Sequence, residues 1–179
     1  LLEFGAASLL PAMVSVSLVR EITPVITSLI CAGKIGSGIG AELGSMRVTE
    51  QIDAMEVSGT NPFKYLVVTR VLASTLMVPV LSVLAIGISL FGGYLGANIR
   101  GDVSWTLYWF QAYDALSFSD LIPALVKTFF FGFAIGIVGC FKGYNSKKGT
   151  EGVGRSATTA VIVASLLVFV IDLIAVQIT

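Results

Sequence analysis

Residues 71–99 read VLASTLMVPVLSVLAIGISLFGGYLGANI, an apolar stretch without one charged side chain. At about 1.5 Å per residue, a helix of this length exceeds a hydrocarbon core about 30 Å thick. It can therefore cross with tilt or bend, for which Pro79, Gly87, Gly92, Gly93 and Gly96 leave room. The pattern repeats outward from this stretch. Residues 121–141 and 157–178 are also apolar, the first carrying Lys127 near its start and the second Asp172 late in its length. Residues 8–45 form a longer tract interrupted by Arg20-Glu21, Pro24, Lys34 and the small residues Gly33, Gly36, Gly38 and Gly40. That tract is too long for one straight crossing, which predicts a kink near Pro24 or an irregular lead-in up to Arg20.

Composition agrees with a lipid solvent. Hydrophobic residues make up 55% of the 179, charged residues only 12%, and Lys+Arg 11 balances Asp+Glu 11. Mean hydropathy is +0.91. A soluble domain carries about 25% charge, so most of this surface meets lipid or protein. A disordered chain and an electrostatic nucleic-acid binder are excluded. The fold class expected is an all-α polytopic membrane protein with four visible transmembrane helices, in one domain over 1–179. The sequence opens at Leu1 without an initiator Met or a basic leader, and residues 1–7 read as the tail of an earlier helix. A fifth, N-terminal span is therefore expected to be missing.

Histidine is absent, which removes Ser-His-Asp and Cys-His catalysis and imidazole metal sites. Cys31 and Cys140 each stand alone in apolar stretches and read as small buried hydrophobes. Basic residues set the orientation. Segment 142–155 holds Lys142, Lys147, Lys148 and Arg155 and faces the cytoplasm, whereas segment 98–120 has Arg100 as its one basic residue, with Asp102, Asp114 and Asp120. Trp105, Tyr108, Trp109 and Tyr113 mark that segment as an outer interface. By parity the connector 46–64 is cytoplasmic, Glu42 lies at the cytoplasmic boundary, and Thr179 is external.

Within that connector, Val48, Ile52 and Met55 recur at helical spacing on one side, and Glu50, Asp53 and Glu56 lie on the other. A short amphipathic helix over 49–57 is expected, with Thr49 as N-cap and Gly59 and Pro62 ending it. A helix resting on headgroups would present Lys and Arg; this face is acidic, which favours docking of a cytoplasmic protein. Two glycine patterns carry less. Gly149-Thr150-Glu151-Gly152-Val153-Gly154-Arg155-Ser156 nearly spells a P-loop, but lies between two spans and reads as a Gly-rich loop ending in Ser156 as a helix cap. Gly36-Ser37-Gly38-Ile39-Gly40 reads as helix packing. Arg20, Glu21, Lys34, Glu42 and Asp172 are ionisable groups in or beside apolar tracts, where function competes with structural pairing or snorkelling.

Three blocks carry a resemblance to a known family: Leu18-Val19-Arg20-Glu21-Ile22-Thr23-Pro24, Ala32-Gly33-Lys34-Ile35-Gly36-Ser37, and above all 41–55, Ala-Glu-Leu-Gly-Ser-Met-Arg-Val-Thr-Glu-Gln-Ile-Asp-Ala-Met. Asn61-Pro62, Gly143-Tyr144 and Gly154-Arg155-Ser156-Ala157-Thr158-Thr159 extend it. The chain resembles the MlaE/YrbE family, permease subunits of Mce-associated ABC transporters for lipids. The resemblance implies a homodimeric permease, with cytoplasmic ABC ATPase subunits and an Mce-domain protein on the outer side, moving phospholipid or a related lipid between membranes. It implies a coupling helix comprising Thr49, Glu50, Gln51, Ile52, Asp53, Ala54, Met55 and Glu56, and a lipid cavity bordered by Arg20, Glu21 and Ile22. This chain itself would carry no catalytic residue, metal or cofactor; ATP and Mg would belong to the partner ATPase. The location implied is the bacterial inner membrane, ahead of a plastid inner envelope. Two departures stand out: Thr23 replaces the glycine of the family's Arg-Glu-Leu-Gly-Pro run, and the family's N-terminal amphipathic helix and first span are missing. An ion-coupled secondary transporter is the alternative, suggested by Pro24, Glu21 and Asp172, although no internal repeat accompanies it. An intramembrane enzyme finds no support without histidine, a Gly-x-Gly-Asp motif or paired carboxylates at membrane depth.

Overall fold

A computed structural model describes residues 10–101, 104–147 and 149–178; residues 1–7, read above as the end of an earlier helix, and Thr179 lie outside them. From Leu10 to Val48 the tract is helical without interruption. α1 (Leu10–Ser17), α2 (Thr23–Cys31) and α3 (Ser37–Val48) are joined by π-helical turns at Leu18–Ile22 and Ala32–Gly36. Ser17, Thr23, Cys31, Ala32 and Gly36 all keep right-handed helical angles at the junctions. Pro24 cannot donate to the ladder, and the turn before it is the widened one, where the Thr23 N–H reaches back to the Leu18 carbonyl. The lead-in up to Arg20 is helical from Leu10 rather than irregular, and the departure from α-helical geometry beside Pro24 is this π turn. The 38 residues Pro11–Val48 make a rod about 57 Å long, enough to cross and project beyond the core.

α4 (Gln51–Val57) follows the rod, and a π-helical turn at Phe63–Val68 leads into α5 (Thr69–Gly101). α6 (Trp105–Ala115), α7 (Phe118–Tyr144) and α8 (Thr150–Ile178) complete the described elements. Four helices are long and apolar enough to span: Pro11–Val48, Phe63–Ile99, Ser119–Tyr144 and Thr150–Ile178, the four expected from the sequence. The chain is a multi-pass, all-α membrane protein.

Two stretches differ from expectation. Segment 98–120 contains a helix, α6, which packs on α1. Tyr108 explains why: it is fully buried, its hydroxyl donates to the Leu90 carbonyl at 3.1 Å and accepts from the Ser15 hydroxyl at 3.4 Å. Tyr94 and Trp109 pack edge-on against it, and Trp105 packs edge-on against both of them. An aromatic belt spread along an interface is here gathered into a cluster that clamps α6 to the bundle. The second stretch is the Gly-rich segment, which forms the start of α8 from Thr150.

α7 sits at the centre, against α5, α8 and the rod. Half of its spanning window is buried inside the protein, against 17% for α8. Close approach rests on small residues. A methyl group at Gly132 would fall 2.5 Å from the Ser74 carbonyl oxygen of α5, and one at Gly143 would fall 2.7 Å from the Leu43 Cβ of α3. On the rod, Gly40 lies against Ala157 and Ala160 of α8 as packing predicts, whereas Gly38 faces open space. Cys31 and Cys140 are buried in the two main apolar clusters.

Candidate functional site: a buried charge network and a connector helix

Two polar features stand out in the apolar bundle, one towards each end. At the α6 end, the π turn Leu18–Ile22 presents Arg20 and Glu21 to α7. Arg20 lies 3.7 Å from Asp120, and the Lys127 ammonium donates to Glu21 at 2.7 Å and to Asp172 of α8 at 2.9 Å. Lys127 is 6% exposed, so its charge is satisfied by these two carboxylates rather than by solvent. Asp120 also accepts from the Ser117 N–H and hydroxyl. The network joins three elements that no local contact would hold together. Counted along α7 from Tyr144, and along α8 from Arg155, Lys127 and Asp172 both lie about 26 Å from the connector end, close to the far boundary of the core.

The expected cavity residues divide accordingly. Arg20 and Glu21 are engaged in ion pairs, while Ile22 is 45% exposed on the outer surface of the bundle. Asp172, for which the sequence left function, structural pairing and snorkelling open, is paired with Lys127 and 19% exposed. Sequence reasoning missed Asp120 as the partner of Arg20, and Lys127 as the shared partner of Glu21 and Asp172. A signal was present: Lys127 has no carboxylate three or four residues away on α7, so a lysine in that span needs a partner from another helix. Lys34 remains exposed and without an ion pair among the described residues.

At the opposite end, α4 is short and anchored by one buried side chain. Ile52 is fully buried against Ile39, Leu43, Leu66 and Cys140, with Met55 packed alongside. Glu50, Gln51, Asp53, Ala54 and Glu56 are exposed, as the helical spacing predicts. The start differs from expectation. Thr49 is not an N-cap but ends α3, its hydroxyl donating to the Ser45 carbonyl at 2.9 Å. Glu50 makes the reversal, in the left-handed region at φ 60, and α4 begins at Gln51. The helix ends as the sequence indicates. Gly59, at φ +78, donates its N–H to the Glu56 carbonyl and Thr60 to that of Met55, a Schellman pair. Asn61 then caps the next helix by accepting from the Lys64 N–H.

Further pairs hold this end. Arg47 binds Asp53 at 2.5 Å and lies 5.9 Å from the Tyr144 ring, and Arg70 binds Glu42 at 2.7 Å. Ser156 is not a cap: it is buried inside α8 and its hydroxyl donates to the Gly40 carbonyl at 3.0 Å, which ties α8 to α3. Among the described residues no group of three or more His, Cys, Asp or Glu side chains could hold a metal ion.

The fold and these two features define a polytopic helical membrane protein whose spans are bridged, at one end, by a short acidic helix anchored to the bundle. Within that class, the chain belongs to the MlaE permease family, whose description, Permease MlaE, matches residues 1–178. It is 41% identical over 168 residues to a probable ABC transporter permease protein of Rickettsia prowazekii, covering 94% of this chain and 65% of the relative. A probable ABC transporter permease protein of Pyropia yezoensis is 38% identical over 173 residues, covering 97% and 66%. The intermembrane phospholipid transport system permease protein MlaE of Haemophilus influenzae is 35% identical over 176 residues, covering 97% and 67%. The chain thus spans about 65% of the length of the Rickettsia relative.

Proposed function

We propose that this chain is the transmembrane permease part of an ABC transporter that moves phospholipid or a related lipid between membranes. The observation that carries it is α4, a helix anchored through Ile52 whose free face is acidic. A partner ATPase docks on residues 49–57 and supplies ATP hydrolysis, and this chain performs no catalysis. Because Ile52 sits among side chains of α3, α7 and the segment leading into α5, a push on α4 reaches those spans without slack. Their tilt changes access to a central lipid cavity shared by two copies of the chain, bordered by Arg20, Glu21 and Ile22. An Mce-domain protein receives or delivers lipid at the α6 end. The membrane is the bacterial inner membrane with the α4 end in the cytoplasm, the basic loop 142–155 lying at that same end. The relatives' printed names support the transporter class, and the Haemophilus name supports phospholipid as cargo.

The test is charge reversal. Glu50→Lys with Asp53→Lys in the full-length protein should abolish co-purification of the ATPase while leaving the subunit in the membrane. Normal complex assembly by that variant would refute docking on α4. The ion-coupled alternative loses its motivating feature, since Glu21 and Asp172 are both engaged by Lys127.

A further inference from the structure

At the connector end, the last turn of α7, the loop after it and the first turns of α8 enclose a cleft of about 490 Å³. Lys142, Lys147 and Arg155 line it, against one carboxylate, Glu151. None of the three cations has an ion-pair partner among the described residues. The hydroxyls nearby are already engaged with backbone: that of Ser156 is shared between the Gly40 and Val153 carbonyls, Thr159 donates to Arg155 and Ser146 to Lys147. Three unpaired cations in one concavity call for an anion, held by charge more than by directed hydrogen bonds.

The anion's source follows from what lies beyond the cleft. Arg155, Thr159, Ile162 and Leu166 share one face of α8 at helical spacing. Ile162 and Leu166 are 55% and 60% exposed. On α7, Phe141 and Ile137 are likewise exposed one turn apart. A cationic cleft that opens onto an apolar track towards the bilayer centre fits an amphiphile with a phosphate head.

We infer that this cleft binds the phosphate headgroup of an anionic phospholipid in the leaflet on the connector side, its acyl chain lying along Ile162 and Leu166. This site lies at the opposite end of α7 from the Arg20 and Lys127 network, and it stands whether or not the chain carries lipid as cargo. Because charge does the selecting, phosphatidylglycerol should be retained in preference to phosphatidylcholine.

The test uses the full-length subunit purified from its own membranes, with retained lipid counted by native mass spectrometry as phosphatidylglycerol or phosphatidylcholine is added. A basic residue at an anionic lipid surface is worth about fivefold in affinity, so Lys142→Gln with Arg155→Gln should weaken phosphatidylglycerol retention about thirtyfold. Lys142→Arg with Arg155→Lys should retain it, and Glu151→Gln should tighten it. That last variant removes only one exposed charge and reads the proposal in the opposite direction if the double variant fails to fold. Unchanged retention in the double variant and in Glu151→Gln would overturn the site. Displacement by millimolar inorganic phosphate would leave an anion cleft but overturn the lipid assignment. So would a photocrosslinker at position 155 that captures a protein in place of lipid.

Discussion

Replacing Lys127 with methionine should be among the most damaging single changes in this chain. The ammonium stands 2.7 Å from Glu21 and 2.9 Å from Asp172, and only 6% of the side chain is exposed. At an effective dielectric constant of about 20, each contact carries about 6 kcal/mol of gross Coulomb attraction, most of it offset by desolvation of the ions. Methionine fills the space of the lysine stem, so little cavity cost is added. What remains is two carboxylates stranded in a bundle with no cation between them, at a cost of about 3–5 kcal/mol. The two carboxylates do not contribute equally. Asp172 is 19% exposed and Glu21 38%, so Asp172→Asn should cost more than Glu21→Gln, and Lys127→Met more than either. Thermal unfolding in detergent, followed by loss of the monodisperse peak, gives the order, with a downward shift on the order of 10 °C for Lys127→Met. The triple variant Lys127→Met, Glu21→Gln, Asp172→Asn should recover most of that loss, because no buried charge is left unpaired. A Lys127→Met protein as stable as the parent, or a triple variant no better than the single, would refute the network as drawn.

Three other outcomes follow from particular contacts. Ile52→Ala empties a fully buried position and should cost about 2–5 kcal/mol, seen as faster hydrogen exchange and protease clipping across residues 49–60 while the spans stay protected. Glu50→Gly should stabilise the α3–α4 turn by about 1 kcal/mol, since a left-handed residue at φ 60 without a Cβ avoids the steric penalty; a lowered melting temperature would contradict it. Gly132→Ala drives a methyl group into the Ser74 carbonyl and should cost about 1–3 kcal/mol, whereas Gly87→Ala, with open space around it, should be neutral or stabilising in the same melting assay.

Hydrophobic run length and charge placement belong to the chain itself, and lipid reads them directly. A stretch such as 71–99 has to be a helix in the bilayer because no other single segment satisfies its own backbone there. For the same reason the four spans and the acidic face of α4 are legible in the amino-acid order alone. Periodicity also marks Ile52 as the buried side of that helix, while its starting residue is not legible. Thr49 suits an N-cap by type, yet the continuous rod through Val48 takes its hydroxyl for a last-turn carbonyl and leaves Glu50 to make the reversal.

Pairings between spans are beyond the sequence. Arg20, Glu21, Lys127 and Asp172 are each visible as a costly charge in an apolar tract. Which of them meet depends on helix rotation and on the extra residue in the π turn at Leu18–Ile22, and both are set by packing around α7. Small-residue contacts make the same point: Gly40 and Gly38 look alike in the sequence, but the rod turns one towards α8 and the other outward. Tertiary structure decided these matters because the energy of a buried charge or a close backbone approach resides in the partner, and the partner lies about a hundred residues away.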